Sequence, residues 1–361
     1  MKLAPTQRAA IAYVEKYSKK RQGDALSIIQ SVCRMSNISS EILTSAMDNI
    51  KKYARIALHF HPDRFTGENI TVAESLLIDG IYKNQFQTQI SNGHLEPVKG
   101  GFRHTWENNI FGSSFETADI NLSERPKYGA LDLMHWADGP SPRFGSCYFL
   151  LNPLCSRRST FTYMDSHKNP RERGTLKHFD DIFAAMFAEC FERNFALGRK
   201  DLTPSKLFNY LAYNFALPSD PPSLSAISHN LDFYIEAQLQ GTVNLEKDAD
   251  ILVADSSFKM TQTGVVMNQL CKKYKIKMYW HPGFKLNITD IPSDFRGSSM
   301  PSLGSRISGS GQITAHRIGA AAADLKSHPQ AWKDRGSYQE CLQELKLLWH
   351  VLVKFGNSVS S

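Results

Sequence analysis

The chain has no closely spaced pair of cysteines, no long apolar run and no glycine-rich phosphate loop, and each absence removes a class of protein. Its six cysteines, Cys33, Cys147, Cys155, Cys190, Cys271 and Cys341, stand far apart. They fit neither a structural zinc site nor a disulfide framework, and they read as buried thiols of a reducing compartment. No apolar stretch is long enough to cross a bilayer, and Met1–Gln22 lacks the apolar core of a signal peptide, so the expectation is synthesis in the cytosol with no membrane span. Any export would use a route without a cleaved signal. There is no internal repeat, no dinucleotide fingerprint, and no helix-turn-helix, zinc finger or RNA-binding signature. The net charge of +7 is scattered, with short clusters only at Lys19–Arg21, Arg157–Arg158 and Lys272–Lys277. That pattern fits a solvated basic surface or a face for an anionic small ligand, and no nucleic acid partner is expected.

At 361 residues the expectation is one main domain with helical additions. Apolar residues recur at helical spacing in Ala9–Val14, Ala25–Val32 and Ile42–Ile50, with a start signal at Ser39-Ser40-Glu41, so residues 1–55 read as a helical extension. Ile56–Pro62 reads as a short strand ended by proline, followed by a helix over Thr71–Gln89 and a turn at Ser91-Asn92-Gly93. Strands are expected at Tyr128–Leu133, Cys147–Leu151 and Ser159–Tyr163. Residues 175–215 read as helix, with Phe183, Met186, Phe187, Cys190 and Phe191 on its apolar face, and Pro218–Pro222 breaks the chain. Strands at Phe233–Leu239, Ala249–Ala254 and Ile276–Trp280 then surround a helix near Met267–Tyr274. The Gly-, Ser- and Ala-rich residues 293–325 read as a mobile linker or loop before an amphipathic helix, Tyr338–Phe355. This divides the chain into a helical extension (1–55), a catalytic domain (56–292) and a linker with a terminal helix (293–361).

The most unusual segment is His59-Phe60-His61-Pro62-Asp63-Arg64, which gathers two imidazoles, a carboxylate and a guanidinium. At strand spacing the two histidines share a face. With a remote partner among His94, His229, His281 or an aspartate, they could form the donor set of a metal-dependent hydrolase. A second cluster, Arg103-His104-Thr105-Trp106-Glu107, could border a pocket or be a helix start capped by Thr105.

Ile50–Arg64 resembles the second helix and His-Pro-Asp loop of a J-domain co-chaperone, which implies a helical segment and stimulation of a chaperone ATPase. Over a longer span, about residues 55–310, the chain resembles an uncharacterised bacterial family. The motifs are His61-Pro62-Asp63-Arg64, Ser91-Asn92-Gly93 and Tyr128-Gly129-Ala130-Leu131, joined by Arg125-Pro126-Lys127, Phe144–Cys147 and Phe161–Ser166.

The order of parts also resembles mono-ADP-ribosyltransferases: a His or Arg on a first strand, a helix and turn, a strand bearing Ser or Thr, and a strand with a catalytic glutamate. That resemblance implies an α+β fold with a split antiparallel sheet, NAD as substrate and a protein acceptor. It implies Glu236 as the catalytic carboxylate with Gln238 beside it. His59, His61, Arg64, Asn92, Gly93, Arg103, Tyr128, Ser159, Thr160 and Thr162 would then bind NAD or orient the glutamate. The types suit the chemistry, since cleavage between nicotinamide and ribose passes through an oxocarbenium-like state that a carboxylate stabilises. Glu236 can equally be a solvated strand carboxylate, because the alternation of Ile235, Ala237 and Leu239 does not distinguish a solvent face from a polar cleft. The sequence departs from arginine-directed transferases in carrying Tyr234 two residues before the glutamate, which leaves the acceptor side chain open. Such an activity suits a secreted bacterial effector or toxin.

Overall fold

The structure, a computed structural model, describes residues 2–88, 100–116, 120–215, 226–309 and 311–358. The Asn92-Gly93 turn, His94 and the Pro218–Pro222 break lie outside the described residues.

Eight segments form one mixed, mostly antiparallel sheet: β1 (Arg55–Phe60), β2 (Lys127–Asp132), β3 (Cys147–Leu151), β4 (Ser159–Tyr163), β5 (Arg173–Thr175), β6 (Ile235–Leu239), β7 (Ala249–Asp255) and β8 (Lys277–His281). The order is β8-β7-β3-β1-β2-β6-β4-β5, and only β7 and β8 run parallel. Hydrogen bonding joins all eight strands into one continuous sheet, with its β1–β2 pairing limited to three residues.

The two sheet faces differ. One presents Ile56, Leu58, Leu131, Phe149, Phe161, Ile235, Ala237 and Leu239 to the main core. The other carries a smaller apolar cluster of Ala57, Tyr148, Leu150, Ile251 and Val253, and beside it Thr160, Thr162, Glu236 and Gln238. Period-two alternation places all four polar residues on this face.

Helices α1 (Pro5–Met35), α2 (Ser40–Tyr53), α3 (Val72–Asp79), α4 (Phe102–Phe111), α5 (Asp180–Arg193), α6 (Gln262–Tyr274), α7 (Met300–Ser308), α8 (Ala315–Ser327) and α9 (Tyr338–Phe355) surround the sheet. The expected helical extension is α1 and α2, and Ser39 caps α2 by accepting from the Ile42 N–H at 3.4 Å. It is not a loose appendage: α1 packs along α5, where Arg21 pairs with Asp181 at 2.9 Å and Gln22 donates to Asp180 at 2.8 Å. On α5, Phe183 and Phe187 stack with Phe208 in an aromatic ladder, each ring contributing about 1.5–3 kcal/mol by burial. Phe191, expected on that face, is instead partly exposed.

Several expected elements are corrected. The helix read over Thr71–Gln89 is capped by Thr71 and Glu74 but ends at Asp79, because Gly80 adopts φ +64 and starts the short strand Ile81–Tyr82. The helical reading of 175–215 is interrupted by a small hairpin, Phe195–Ala196 with Arg199–Lys200. The stretch 293–325 is not a linker. It forms α7, the strand Gln312–Thr314 and α8, with Met300, Leu303, Ile318 and Leu325 in the main core. Its small residues permit close packing: a Cβ on Gly304 would lie 2.2 Å from Ile291 Cδ1. Segment Arg55–Phe60 is strand, so the helix that the J-domain resemblance requires there is absent. Among the described residues, no helix is long and apolar enough to cross a membrane.

Candidate functional site

β1 and β2 pair over only three residues, from Arg55↔Asp132 to Ala57↔Ala130. Beyond that point both strands continue, but toward different neighbours: β1 pairs with β3 as far as Phe60↔Cys147, and β2 pairs with β6 back to Lys127↔Leu239. The unpaired ends diverge, and the freed His59 carbonyl accepts instead from the Tyr82 hydroxyl at 3.0 Å. A cleft of about 460 Å³ occupies the gap, lined by His59 and Phe60 from β1 and by Lys127, Tyr128 and Gly129 from β2. Gly129 sits where the strands part, and a Cβ there would lie 2.6 Å from the Ala57 carbonyl oxygen and 2.7 Å from Leu58 Cδ2.

Glu236 lines this cleft and is almost fully buried, which excludes the solvated-strand alternative. Its Oε1 accepts from Gln238 Nε2 at 2.8 Å, and its Oε2 accepts from the Ser166 N–H and hydroxyl, both at 3.2 Å. The Gln238 amide is fixed in turn, since Thr160 donates to its Oε1 at 2.8 Å and its Nε2 also donates to Thr162 at 3.1 Å. Gln238, Thr160 and Thr162 therefore support the glutamate from behind. Ser159 does not join them: it points to the other face and donates to the Cys155 carbonyl at 3.0 Å.

Burial and the neighbouring Asp165 carboxylate raise the Glu236 pKa to about 8, while the bonds from Gln238 and Ser166 hold it down. Burial would raise Asp165 too, but His167 at 2.7 Å and the Tyr234 hydroxyl at 2.5 Å keep it below the usual carboxylate range. The two carboxyls are thus driven apart in acidity, a pattern of sites that handle protons. Asp165 caps the turn Ser166–Lys168, and the residue before it, Met164, takes φ +75, a conformation that costs a non-glycine residue energy.

Helix α4 closes one wall. Arg103, Trp106 and Glu107 fall on one of its faces by their three- and four-residue spacing. Arg103 and Trp106 line the cleft. Glu107 is buried, pairs with Arg125 and accepts from the Tyr128 hydroxyl at 3.2 Å, which orients that ring. The helix starts at Phe102 after Gly101, so Thr105 is not its cap.

The histidines are not equivalent. His59 Nδ1 bonds the Gly145 carbonyl at 3.1 Å and its Nε2 accepts from the Ser141 N–H at 3.3 Å, so both ring nitrogens are committed. His61 lies beyond the strand end, edge-on to Trp349 with ring centroids 5.1 Å apart. Burial pushes both down to about 3, so both are neutral. Among the described residues, which do not include His94, no group of three or more His, Cys, Asp or Glu is arranged to hold a metal ion.

The cleft thus brings together His59, His61, Arg64, Arg103, Tyr128 and Glu236 from the expected set, with Gln238, Thr160 and Thr162 behind them. Asp165, Ser166, His167, Arg143 and Lys346 also line it, although no role was read for them from the sequence. Asp165-Ser166 was visible as the end of a motif. Lys346 was not, because a lysine within an amphipathic helix gives no signal of its own.

No curated protein matches the chain. The family model described as Protein of unknown function (DUF3626) matches residues 55–355, from the first residue of β1 to the end of α9, and the chain belongs to that family.

Proposed function

We propose that the protein transfers ADP-ribose from NAD to a protein acceptor and releases nicotinamide, with Glu236 facing the reacting ribose. The observation that carries this is the placement of Glu236: a buried carboxylate, held at both oxygens, beside a cleft opened by the parting of two sheet strands. We take that seam as the counterpart of the split sheet in the ADP-ribosyltransferase fold.

The bond between ribose C1′ and the nicotinamide nitrogen breaks, its electron pair leaves with the now neutral nicotinamide, and positive charge develops at C1′. A fixed carboxylate stabilises that charge more than it stabilises the ground state. The acceptor nucleophile then bonds to C1′ and gives up its proton to Glu236 or to solvent. A cationic nicotinamide ring entering the cleft also favours the ionised form of Glu236, offsetting the burial that raises its pKa. Tyr128, Trp106 and Phe144 line the cleft as aromatic rings that could face nicotinamide, and His61 lines it with them.

The test is incubation with isotopically labelled NAD and a cell lysate, beside Glu236→Gln. Label on protein and nicotinamide release are expected from the native chain, with a loss of about 100- to 1,000-fold in the variant. Equal turnover by a folded Glu236→Gln would overturn the proposal.

A further inference from the structure

The end of the cleft nearest α9 collects cations from three separate parts of the chain. Arg64 comes from the loop after β1, Arg143 from the turn Pro142–Phe144, and Lys346 from the middle of α9, and all three line the cavity. Arg296 is close enough to act on Lys346, and Arg143, Arg296 and Lys346 all act on His350, whose imidazole is pushed down to about 2 by burial and these cations.

Part of this cluster, around Arg143, Arg296, Lys346 and His350, is poorly matched among the described residues. Nε of Arg143, Nε of Arg296 and both ring nitrogens of His350 are buried and have no hydrogen-bond partner among the described residues. His350 is only 2% exposed, so solvent does not supply partners. No hydrogen bond or ion pair reaches Lys346 among the described residues. Its ammonium is pushed down to about 8 by burial and by Arg143, Arg103, Arg64 and Arg296. Asp232 pairs with Arg143 at 2.7 Å, and the charge of Asp63 acts on Arg64. Gathering like charges with unmatched donors opposes folding, and such arrangements persist where a ligand supplies the missing charge.

We propose that this end of the cleft is a seat for a phosphate ester, held by Lys346, Arg143 and Arg64. A group with more than one negative charge matches several converging cations, with guanidinium forks taking paired oxygens and the ammonium acting as a point charge. The chemistry is shared by the diphosphate of a dinucleotide and by a lone phosphate monoester. The diphosphate assignment rests on the transfer function proposed above, whereas the seat itself needs only the phosphate.

Calorimetric titration of the full chain with ADP-ribose, ribose 5-phosphate and adenosine tests this. Both phosphate compounds are expected to bind and adenosine not to. Tighter binding of ADP-ribose identifies a diphosphate seat, and tighter binding of ribose 5-phosphate a monoester seat. Lys346→Met and Arg143→Gln should each weaken the phosphate compounds at least tenfold, while Lys346→Arg keeps most of the affinity. Melting curves show whether each variant is folded. Absence of binding by both phosphate compounds, or native affinity in both loss-of-charge variants, would sink the seat. Glu236-dependent labelling by a protein whose Lys346→Met and Arg143→Gln variants both bind ADP-ribose normally would sink the seat and keep the transferase. Lys346-dependent phosphate binding without nicotinamide release would do the reverse.

Discussion

Gln238 Nε2 donates to Glu236 Oε1 at 2.8 Å, joining two residues that alternation places on the same face of one buried strand. The bond favours the ionised carboxylate, so losing it makes Glu236 harder to ionise. Gln238→Leu should move the rising limb of the kcat/KM profile to higher pH and lower nicotinamide release at neutral pH by roughly tenfold, the scale of one hydrogen bond to a charged group. A pH–rate profile of the folded variant checks this, and an unmoved limb would remove Gln238 from its positioning role.

Asp165 makes the opposite prediction. Its charge is one reason that Glu236 is raised to about 8, second only to burial. Asp165→Asn removes that repulsion, so the rising limb should move to lower pH. Two changes around one carboxyl, one removing a hydrogen-bond donor and the other a charge, would then shift one profile in opposite directions, an outcome that general loss of stability does not produce.

The same group links stability to pH. Glu236 is raised from an ordinary 4.5 to about 8 in the folded protein, so between those values the folded chain keeps a proton that the unfolded chain has released. Stability therefore falls as pH rises from about 4.5 to about 8 and is flat for this group above that. Glu236→Gln has no such proton. The difference in Tm, variant minus native, should grow from pH 5 to pH 8 whatever fixed cost the amide brings. Thermal melts across that range measure it, and a constant difference would show that Glu236 is not raised.

Most strands were legible as short apolar runs, some alternating and several ended by proline or turn residues: β1, β2, β3, β4, β6, β7 and β8 lie where those runs put them. Glu236 and Gln238 could be named from that spacing, but not their burial, since alternation is blind to what covers a face. The composition of 293–325 points to a loop because small residues serve loops and tight helix packing alike, and only the partner, here Ile291 against Gly304, separates the two. Arg143 and Lys346 were illegible for a different reason. They reach the cleft through long-range packing, with Trp349 of α9 donating to the Pro142 carbonyl at 2.9 Å, and no local pattern encodes that contact.

Gly129 offers a test of the seam itself. β1 and β2 separate at a point where a Cβ on residue 129 would lie 2.6 Å from the Ala57 carbonyl oxygen, a backbone atom that cannot rotate away. Gly129→Val must therefore push the strands apart or shift Tyr128, whose hydroxyl bonds Glu107 at 3.2 Å. Overpacking of this kind costs about 1–3 kcal/mol, so the variant should melt several degrees lower. It should also lose NAD turnover by more than the stability loss explains, because the cleft lies along the same two strand ends. Thermal melting together with nicotinamide release, both measured well below the variant's Tm, separates the two effects. Native turnover by a destabilised but folded Gly129→Val would place the reaction elsewhere in the molecule.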